Sequence, residues 1–372
     1  MNYKKLIKKH GSPLYIYEAA AIQARCRALA KAFPDFRLFY ACKANTNADV
    51  VRLIAKENFG IETVSPGEIT LARKVGVPVS DITFTCSAIT EKELVSVAQR
   101  DIRVHLDSLR QVEIVGKHFP GRDISVRLNL GVGAGSHSHV ITGGPESKFG
   151  IDIAHLPALK ALIKRHRLKL TGLHQHIGSN ILEVPMFIKA MDVLFKAAMQ
   201  FPELEHLDFG GGFGVPYKPG QRPLDLELLG KKVSERVRTF VNAYGRTPEL
   251  SFEPGRYLVA EAGTLVVSVV DIKKNPKKTF IGVDSGMGHL IRPAMYDSYH
   301  HIENISRPNA RKEKVTIAGN YCESGDVFAK DRLLATPKIG DILAIRTTGA
   351  YGYTMSSDYN LRPRPKEVVI GA

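Results

Sequence analysis

The sequence predicts an α/β protein: a (β/α)8, TIM-like barrel followed by a C-terminal, mainly antiparallel β domain. Three observations carry this. Between about residues 37 and 253, short apolar, β-branched runs alternate with longer helical patterns. The runs number eight, the count that closes a β/α barrel. After Gly263 the alternation gives way to strand-like runs separated by Pro, Gly and Asn.

The eight expected strands are Leu38 to Cys42, Gly60 to Val64, Ile82 to Cys86, Val104 to Leu106, Ile124 to Asn129, Leu170 to Gln175, His206 to Phe209 and Leu250 to Phe252. Ala48 to Lys56, Glu91 to Gln99, Leu156 to Arg165, Val184 to Gln200 and Leu226 to Tyr244 read as helices, with apolar residues at helical spacing. The alternation alone also fits an open, doubly wound sheet. The later strands are Thr264 to Ile272, Thr279 to Val283, Val315 to Gly319 and Asp341 to Thr347. Pro13 to Tyr17 reads as a further strand able to join them, followed by a helix over Ala20 to Ala32. The division expected is residues 24–260 for the barrel and residues 1–23 plus 261–372 for a β-sandwich or barrel-like domain.

Length and composition fit this: 372 residues, 44% hydrophobic and 24% charged, describe a soluble globular protein that buries a large core. Cys26, Cys42, Cys86 and Cys322 are few, widely spaced and form no CxxC pair, which argues for reduced, cytoplasmic thiols over a disulfide framework or zinc site. No signal-peptide or transmembrane stretch follows Lys4, Lys5, Lys8 and Lys9. The net charge of +15 is scattered over Lys4 to Lys9, Lys160 to Lys169, Lys273 to Lys278 and Arg307 to Lys314, without interleaved aromatic residues. That pattern favours a solvated surface, or steering of an anionic substrate, over nucleic acid.

In a β/α barrel, chemistry gathers where the strands end. The first strand ends in Tyr40-Ala41-Cys42-Lys43-Ala44-Asn45, placing a lysine at the rim; a partly desolvated amine there favours a Schiff base. The sixth leads into His174-Gln175-His176-Ile177-Gly178-Ser179-Asn180, an imidazole able to stack on a flat ring beside a turn able to take a phosphate. Neither a carboxylate nor a cysteine follows at ligand spacing, so no metal is expected. The seventh ends in the glycine cluster Gly210 to Gly214, which lacks the trailing Gly-Lys-Ser/Thr of a P-loop. The eighth ends in Glu253-Pro254-Gly255-Arg256, and its carboxylate can hold a pyridine nitrogen protonated. Taken singly, each has a bland alternative: a solvated lysine, a structural histidine, a flexible turn, a strand-end ion pair. The combination is the specific feature. The β domain adds Arg292 to Tyr296, Cys322 to Asp326 and Gly349 to Tyr353 as polar or reactive clusters; Arg292 can fork onto a carboxylate and Glu323 can hold an ammonium.

The motifs YACKAN, SPGE, TGGPESKFGI, HQHIGS, GGGFG, EPGR, IRPAMYDSYH, CESGD and GAYGYTMSSDYNLRPRP, spread over Pro13 to Pro365, closely resemble the alanine-racemase-like (fold type III) pyridoxal-phosphate-dependent decarboxylases, and within them the diaminopimelate decarboxylases. The resemblance implies pyridoxal 5'-phosphate as cofactor, carried by Lys43, with His176 stacked on its ring and Glu253 on its pyridine nitrogen. It places Ser179, Gly211, Gly212, Gly255 and Arg256 toward the phosphate, with Tyr351 beside them. It assigns the substrate to Arg256, Arg292, Tyr296, Glu323 and Tyr351, and proton donation to Cys322. Cys322 and Glu323 enter the partner subunit's active site in this family, which implies a homodimer. The implied reaction takes meso-2,6-diaminopimelate to L-lysine and carbon dioxide. A related decarboxylase of ornithine, lysine, carboxynorspermidine or a siderophore precursor is the nearest alternative; an isomerase or a catalytically silent cofactor-binding protein lies further off.

Three features depart from the family pattern. Gly288-His289 replaces a more usual Asn-Asp pair, Cys86-Ser87-Ala88 stands where a Gly-Asn-Lys-like segment is common, and the chain ends soon after RPRP, where many relatives continue through a strand and helix.

Overall fold

The computed structural model describes residues 2–131, 133–135 and 147–371. The chain divides into two compact units, one of residues 23–215 and 223–255, the other of residues 1–22, 216–222 and 256–372.

In the first unit the parallel strands are Phe36–Ala41, Gly60–Thr63, Ile82–Thr85, Arg103–Leu106, Asp123–Asn129, Lys169–His174, His206–Asp208 and Glu249–Phe252. Each pairs with the next, and the eighth returns to the first through Phe252 opposite Leu38. The sheet is therefore a closed barrel and not an open doubly wound sheet. All eight strands lie within a residue or two of expectation, because parallel strands buried on both faces are nearly continuous apolar runs.

Helices follow the strands with side-chain caps at their starts: Asn47 for Ala48–Lys56, Ser65 for Pro66–Lys74, Thr90 for Glu91–Ala98, Ser108 for Leu109–His118 and Asp225 for Leu226–Tyr244. Phe33, Phe36, Phe209, Phe213 and Phe252 pack into one aromatic cluster, with Phe36 stacked on Phe252 at 4.8 Å between ring centroids and Phe213 edge-on to it at 5.2 Å.

The barrel interior departs from the branched aliphatic filling usual for this fold. Its buried side chains include His105, Ser125, Arg127, His174, His206, Asp208 and Ser251. Gly172 makes room for this filling: a Cβ there would lie 1.8 Å from His206 Nε2.

The second unit is a mainly antiparallel sheet in the order Ile302–Asn304, Ile342–Arg346, Gly263–Lys274, Thr279–Val283, Lys312–Ala318 and Val327–Ala335. The N-terminal strand Leu14–Glu18 joins it, antiparallel to Gly263–Lys274 and parallel to Lys366–Ile370. Tyr3, Leu6 and Ile7 of the helix Tyr3–His10 pack on a core of Leu14, Ile16, Val266, Ile342 and Ala344, leaving Lys4, Lys5, Lys8 and Lys9 exposed. Those four charges thus occupy the solvated face of an amphipathic helix. Among the described residues no helix is long and apolar enough to cross a membrane.

Phe252 is 1% exposed and touches four rings of the aromatic cluster. Phe252→Ala is expected to cost about 3–5 kcal/mol, read as a lower urea midpoint in far-ultraviolet circular dichroism.

Candidate active site

Lys43 sits in a single 3-10 turn, Cys42–Ala44, directly after the first barrel strand. Tyr40 fixes the turn by donating its hydroxyl to the Asn45 carbonyl at 2.9 Å. Lys43 Nζ lies 2.6 Å from Glu62 Oε2, and Glu62 is buried in the second strand. Sequence reasoning missed Glu62; its only signal was an acid within an otherwise apolar strand that ends at the same rim.

Lys43, Glu62, Arg127, His174, His176 and Glu253 line one cavity of about 430 Å3. Cys86, Ser87 and Ala88 form part of its wall, which answers where that unassigned segment lies. Gln111 holds the segment by donating from Nε2 to the carbonyls of Cys86, at 2.8 Å, and Ser87, at 2.6 Å. Of the TGGPESKFGI motif, Thr142 to Glu146 fall outside the described residues; Lys148 and Phe149 line the cavity.

The glycine cluster acts first by letting three strand ends approach. Cβ atoms at Gly210 and Gly211 would lie 2.3 Å from the Gln175 carbonyl and 2.4 Å from the Glu253 carbonyl, and Gly210 has φ +66°. The Gly211 N–H donates to His176 Nδ1 at 3.0 Å, so this amide orients the imidazole. His176 therefore carries its proton on Nε2, and burial holds its pKa well below the ordinary value, keeping the ring neutral. Ser179 lies half-buried just beyond, in the Gly178–Ser179 strand pair, and Gly212 has φ +103°. A Cβ at Gly255 would lie 3.0 Å from the Ala41 Cβ.

Glu253 ends the eighth strand, 5% exposed. Its Oε2 lies 3.0 Å from His174 Nε2, while Oε1 has no hydrogen-bond partner among the described residues. Burial pushes its pKa up to about 8, Glu62 adds to the rise, and Lys43 and Arg127 oppose it. Asp208, deeper in the barrel, is pushed up to about 7 by burial and then by Glu253. His105, Asp208 and Glu253 bring ligand-type atoms within 4.8 Å of one another. Asp208 spends both oxygens internally, on the Gly210 N–H at 2.7 Å and the Ser251 hydroxyl at 2.6 Å.

The donor set fits pyridoxal phosphate. A buried carboxyl oxygen left without a partner costs about 1–3 kcal/mol, and a pyridine nitrogen that takes up the acid's proton would become the donor that this oxygen lacks. A lysine amine and an oriented, neutral imidazole share the same cavity.

In the β unit, Arg256 opens the short helix Arg256–Val259, donates to the Tyr217 hydroxyl at 2.8 Å and lies 4.7 Å from the centre of the Tyr351 ring. Arg292 and Tyr296 begin and end the helix Arg292–Tyr296. Arg292 stacks 4.5 Å from the Tyr217 ring centre and donates to His300 Nε2 at 3.0 Å. Tyr217 and His300 were not singled out from sequence, although His300 closes the IRPAMYDSYH motif. Cys322 and Glu323 lie on the exposed loop before Val327–Ala335; the Cys322 N–H donates to Asn360 Oδ1 at 2.8 Å, and Glu323 Oε1 accepts from the Gly325 N–H at 3.2 Å. His289, one of the departures, bonds Ser285 Oγ at 3.0 Å and the Pro363 carbonyl at 3.1 Å, an internal tie for the C-terminal segment.

A lysine, an oriented imidazole and an unsatisfied carboxylate at the rim of a (β/α)8 barrel define a pyridoxal-phosphate enzyme. Residues 19–260 match the family described as pyridoxal-dependent decarboxylase, pyridoxal binding domain. Over 98% of its length the chain is 41% identical to the diaminopimelate decarboxylase of Methanothermobacter thermautotrophicus, covering 88% of that protein. It is 37% identical, over its full length, to that of Aquifex aeolicus, covering 89%. A crystal structure of diaminopimelate decarboxylase superposes with TM-score 0.92 at 34% identity, covering all of this chain and 92% of the other. The Methanocaldococcus jannaschii enzyme in complex with L-lysine gives 0.89 at 34% identity, over 98% and 88%. The chain belongs to the diaminopimelate decarboxylase family of pyridoxal-dependent decarboxylases. The fold extends further, to a Vibrio vulnificus lysine/ornithine decarboxylase, at TM-score 0.86 and 23% identity.

The raised pKa of Glu253 has a stability consequence. A carboxylic acid that ionises near its ordinary value of about 4.3 when unfolded, but near 8 when folded, binds its proton more tightly in the native state. Stability then falls as pH rises from about 5 to 8. Cofactor-free protein is expected to show a falling Tm across this window. Glu253→Gln should flatten the slope, leaving the part due to Asp208; an unchanged slope would mean that Glu253 is ionised in the folded protein.

Proposed function

We propose that this chain removes one carboxylate of meso-2,6-diaminopimelate as carbon dioxide, leaving L-lysine, the last step of lysine biosynthesis. The observation that carries the choice of substrate is Arg292, a 6% exposed guanidinium that forms no ion pair among the described residues. A buried cation without an acid favours a ligand that brings one, and this substrate keeps a second carboxylate far from the reacting carbon.

When bound, pyridoxal phosphate supplies an electron sink for the pair left at the α-carbon as carbon dioxide departs. Lys43 attaches the cofactor, and Glu62, 2.6 Å away, stabilises the lysine ammonium. His176, pinned by the Gly211 amide, presents its ring face. Glu253 would hold the pyridine nitrogen through its unpartnered Oε1, with His174 on the other oxygen. Ser179, Gly212, Gly255 and Arg256 would hold the phosphate with help from Tyr351, and Gly211 would serve this end through its loop. At the substrate, Arg256, Arg292, Tyr296 and Tyr351 position the acid groups and Glu323 grips the distal ammonium. Cys322 delivers the proton that replaces carbon dioxide at the α-carbon.

Cys322 and Glu323 act in the partner subunit's site, making the enzyme a homodimer. Their exposure supports this, as does Leu361, 91% exposed on the segment whose Asn360 holds the Cys322 backbone. The four cysteines are free, in keeping with a cytoplasmic protein.

Carbon dioxide release, compared across meso-diaminopimelate, lysine, ornithine and carboxynorspermidine, tests the substrate; preference for any but the first overturns it. Lys43→Ala is expected to abolish both the cofactor's visible absorbance and turnover. Cys322→Ala should keep the absorbance and slow product formation by roughly 10²–10⁴-fold, the usual contribution of a positioned acid. Mixing the two variants should restore activity through hybrid dimers; if it does not, the sites are not shared.

A further inference from the structure

We infer that His300, together with Tyr217, is a positioning residue that sets substrate specificity by holding Arg292 in place without neutralising it. The inference rests on the reading that Arg292 receives the distal carboxylate.

The geometry fixes the state of the imidazole from both sides. His300 is fully buried, and its Nδ1 lies 2.9 Å from the Arg346 carbonyl oxygen. A carbonyl only accepts, so Nδ1 carries the proton. On the other side Nε2 lies 3.0 Å from Arg292 Nη1, and a guanidinium only donates. Nε2 must therefore offer its lone pair, and the ring is neutral with one tautomer. The surroundings agree: burial first, and then Arg292, Arg256 and Arg332, oppose a second proton and hold its pKa at about 3. Arg332 also donates to the His300 carbonyl, at 2.9 Å, fixing the backbone.

The remaining contacts of Arg292 are likewise uncharged. Nη2 reaches Ser298 Oγ at 3.4 Å, and the guanidinium lies over the Tyr217 ring at 4.5 Å. The Tyr217 hydroxyl meanwhile accepts from Arg256 at 2.8 Å, so one tyrosine fixes two guanidinium groups. An aspartate or glutamate in the place of His300 would hold Arg292 equally well, but it would satisfy the cation and compete with any incoming carboxylate. A neutral acceptor fixes direction and leaves the charge to the ligand. The arrangement favours a substrate with two carboxylates over one with a single carboxylate, and it does so through a residue that need not touch the substrate.

The test compares His300→Gln, His300→Leu and His300→Glu in the holoenzyme, with cofactor absorbance and Tm reporting intact protein. Glutamine keeps a neutral acceptor, leucine removes it, and glutamate adds an acid. The expected result for leucine is a KM for meso-diaminopimelate raised roughly ten- to hundredfold, the range for losing a hydrogen bond to a charged group, with kcat changed far less. Glutamine should recover most of this loss and glutamate should not. The preference for meso-diaminopimelate over lysine should shrink in the leucine and glutamate variants alone. A wild-type KM in His300→Leu, a loss confined to kcat, or a glutamate variant that binds as well as the glutamine variant overturns the inference. Wild-type protein without a preference for the doubly acidic substrate removes the functional reading and the inference with it. Wild-type preference combined with a wild-type KM in His300→Leu removes the inference alone.

Discussion

The carboxylate of Glu253 is the constraint around which the barrel rim is organised. One oxygen is bonded to His174 and the other waits, buried, for a donor. Holding such a group unsatisfied in the folded chain costs stability, and the cost is tolerated because the ligand that removes it is the one the fold exists to use. The neighbouring choices follow. Glu62 is paired to Lys43, which keeps a second buried acid from adding its full repulsion. Asp208 turns its oxygens onto a backbone amide and a serine. The glycines of the seventh loop let the backbone beside Glu253 approach the His176 segment closely enough for one amide to orient that ring.

The two units treat buried charge in opposite ways. The barrel interior gathers acids and neutral imidazoles, and Arg127 and Lys148 line its cavity with Lys43. The β unit gathers arginines and surrounds them with tyrosine faces, a serine and a neutral histidine. Rings suit this purpose because they attract a cation without cancelling it. The proposed reaction on a diacid would draw on both, the acids for a cationic heterocycle and the arginines for carboxylates.

Much of this was legible in the sequence, for reasons that differ by element. The barrel strands were visible because burial on both faces makes them apolar throughout, and Lys43, His176 and Glu253 stood out by following such runs directly. Val327–Ala335 was not, because its Ala-Lys-Asp-Arg stretch mixes charge into a strand with one face in water. Ile302–Asn304 and Lys366–Ile370 were not, because each is a short run that opens or ends on polar residues and lies outside the β/α alternation that marked the short barrel strands. Glu62, Tyr217 and His300 escaped for a different reason: each draws its importance from a partner 19 to 75 residues away in sequence or from two hydrogen bonds that only the fold creates. The bond from the Gly211 amide to the His176 ring likewise depends on the meeting of two loops that the sequence does not show as neighbours.

The pairing of Gly172 with His206 carries a consequence for how this chain can vary. The imidazole occupies the space that any side chain at 172 would need, so the two positions form one unit of volume shared between adjacent strands. Drift at either position alone is blocked from one direction: 172 cannot grow while 206 stays large. An alanine or serine at 172 becomes accessible only in a lineage where 206 has first become small. Related sequences should therefore show the two sites changing in a fixed order, a record of the barrel's interior written as correlated history.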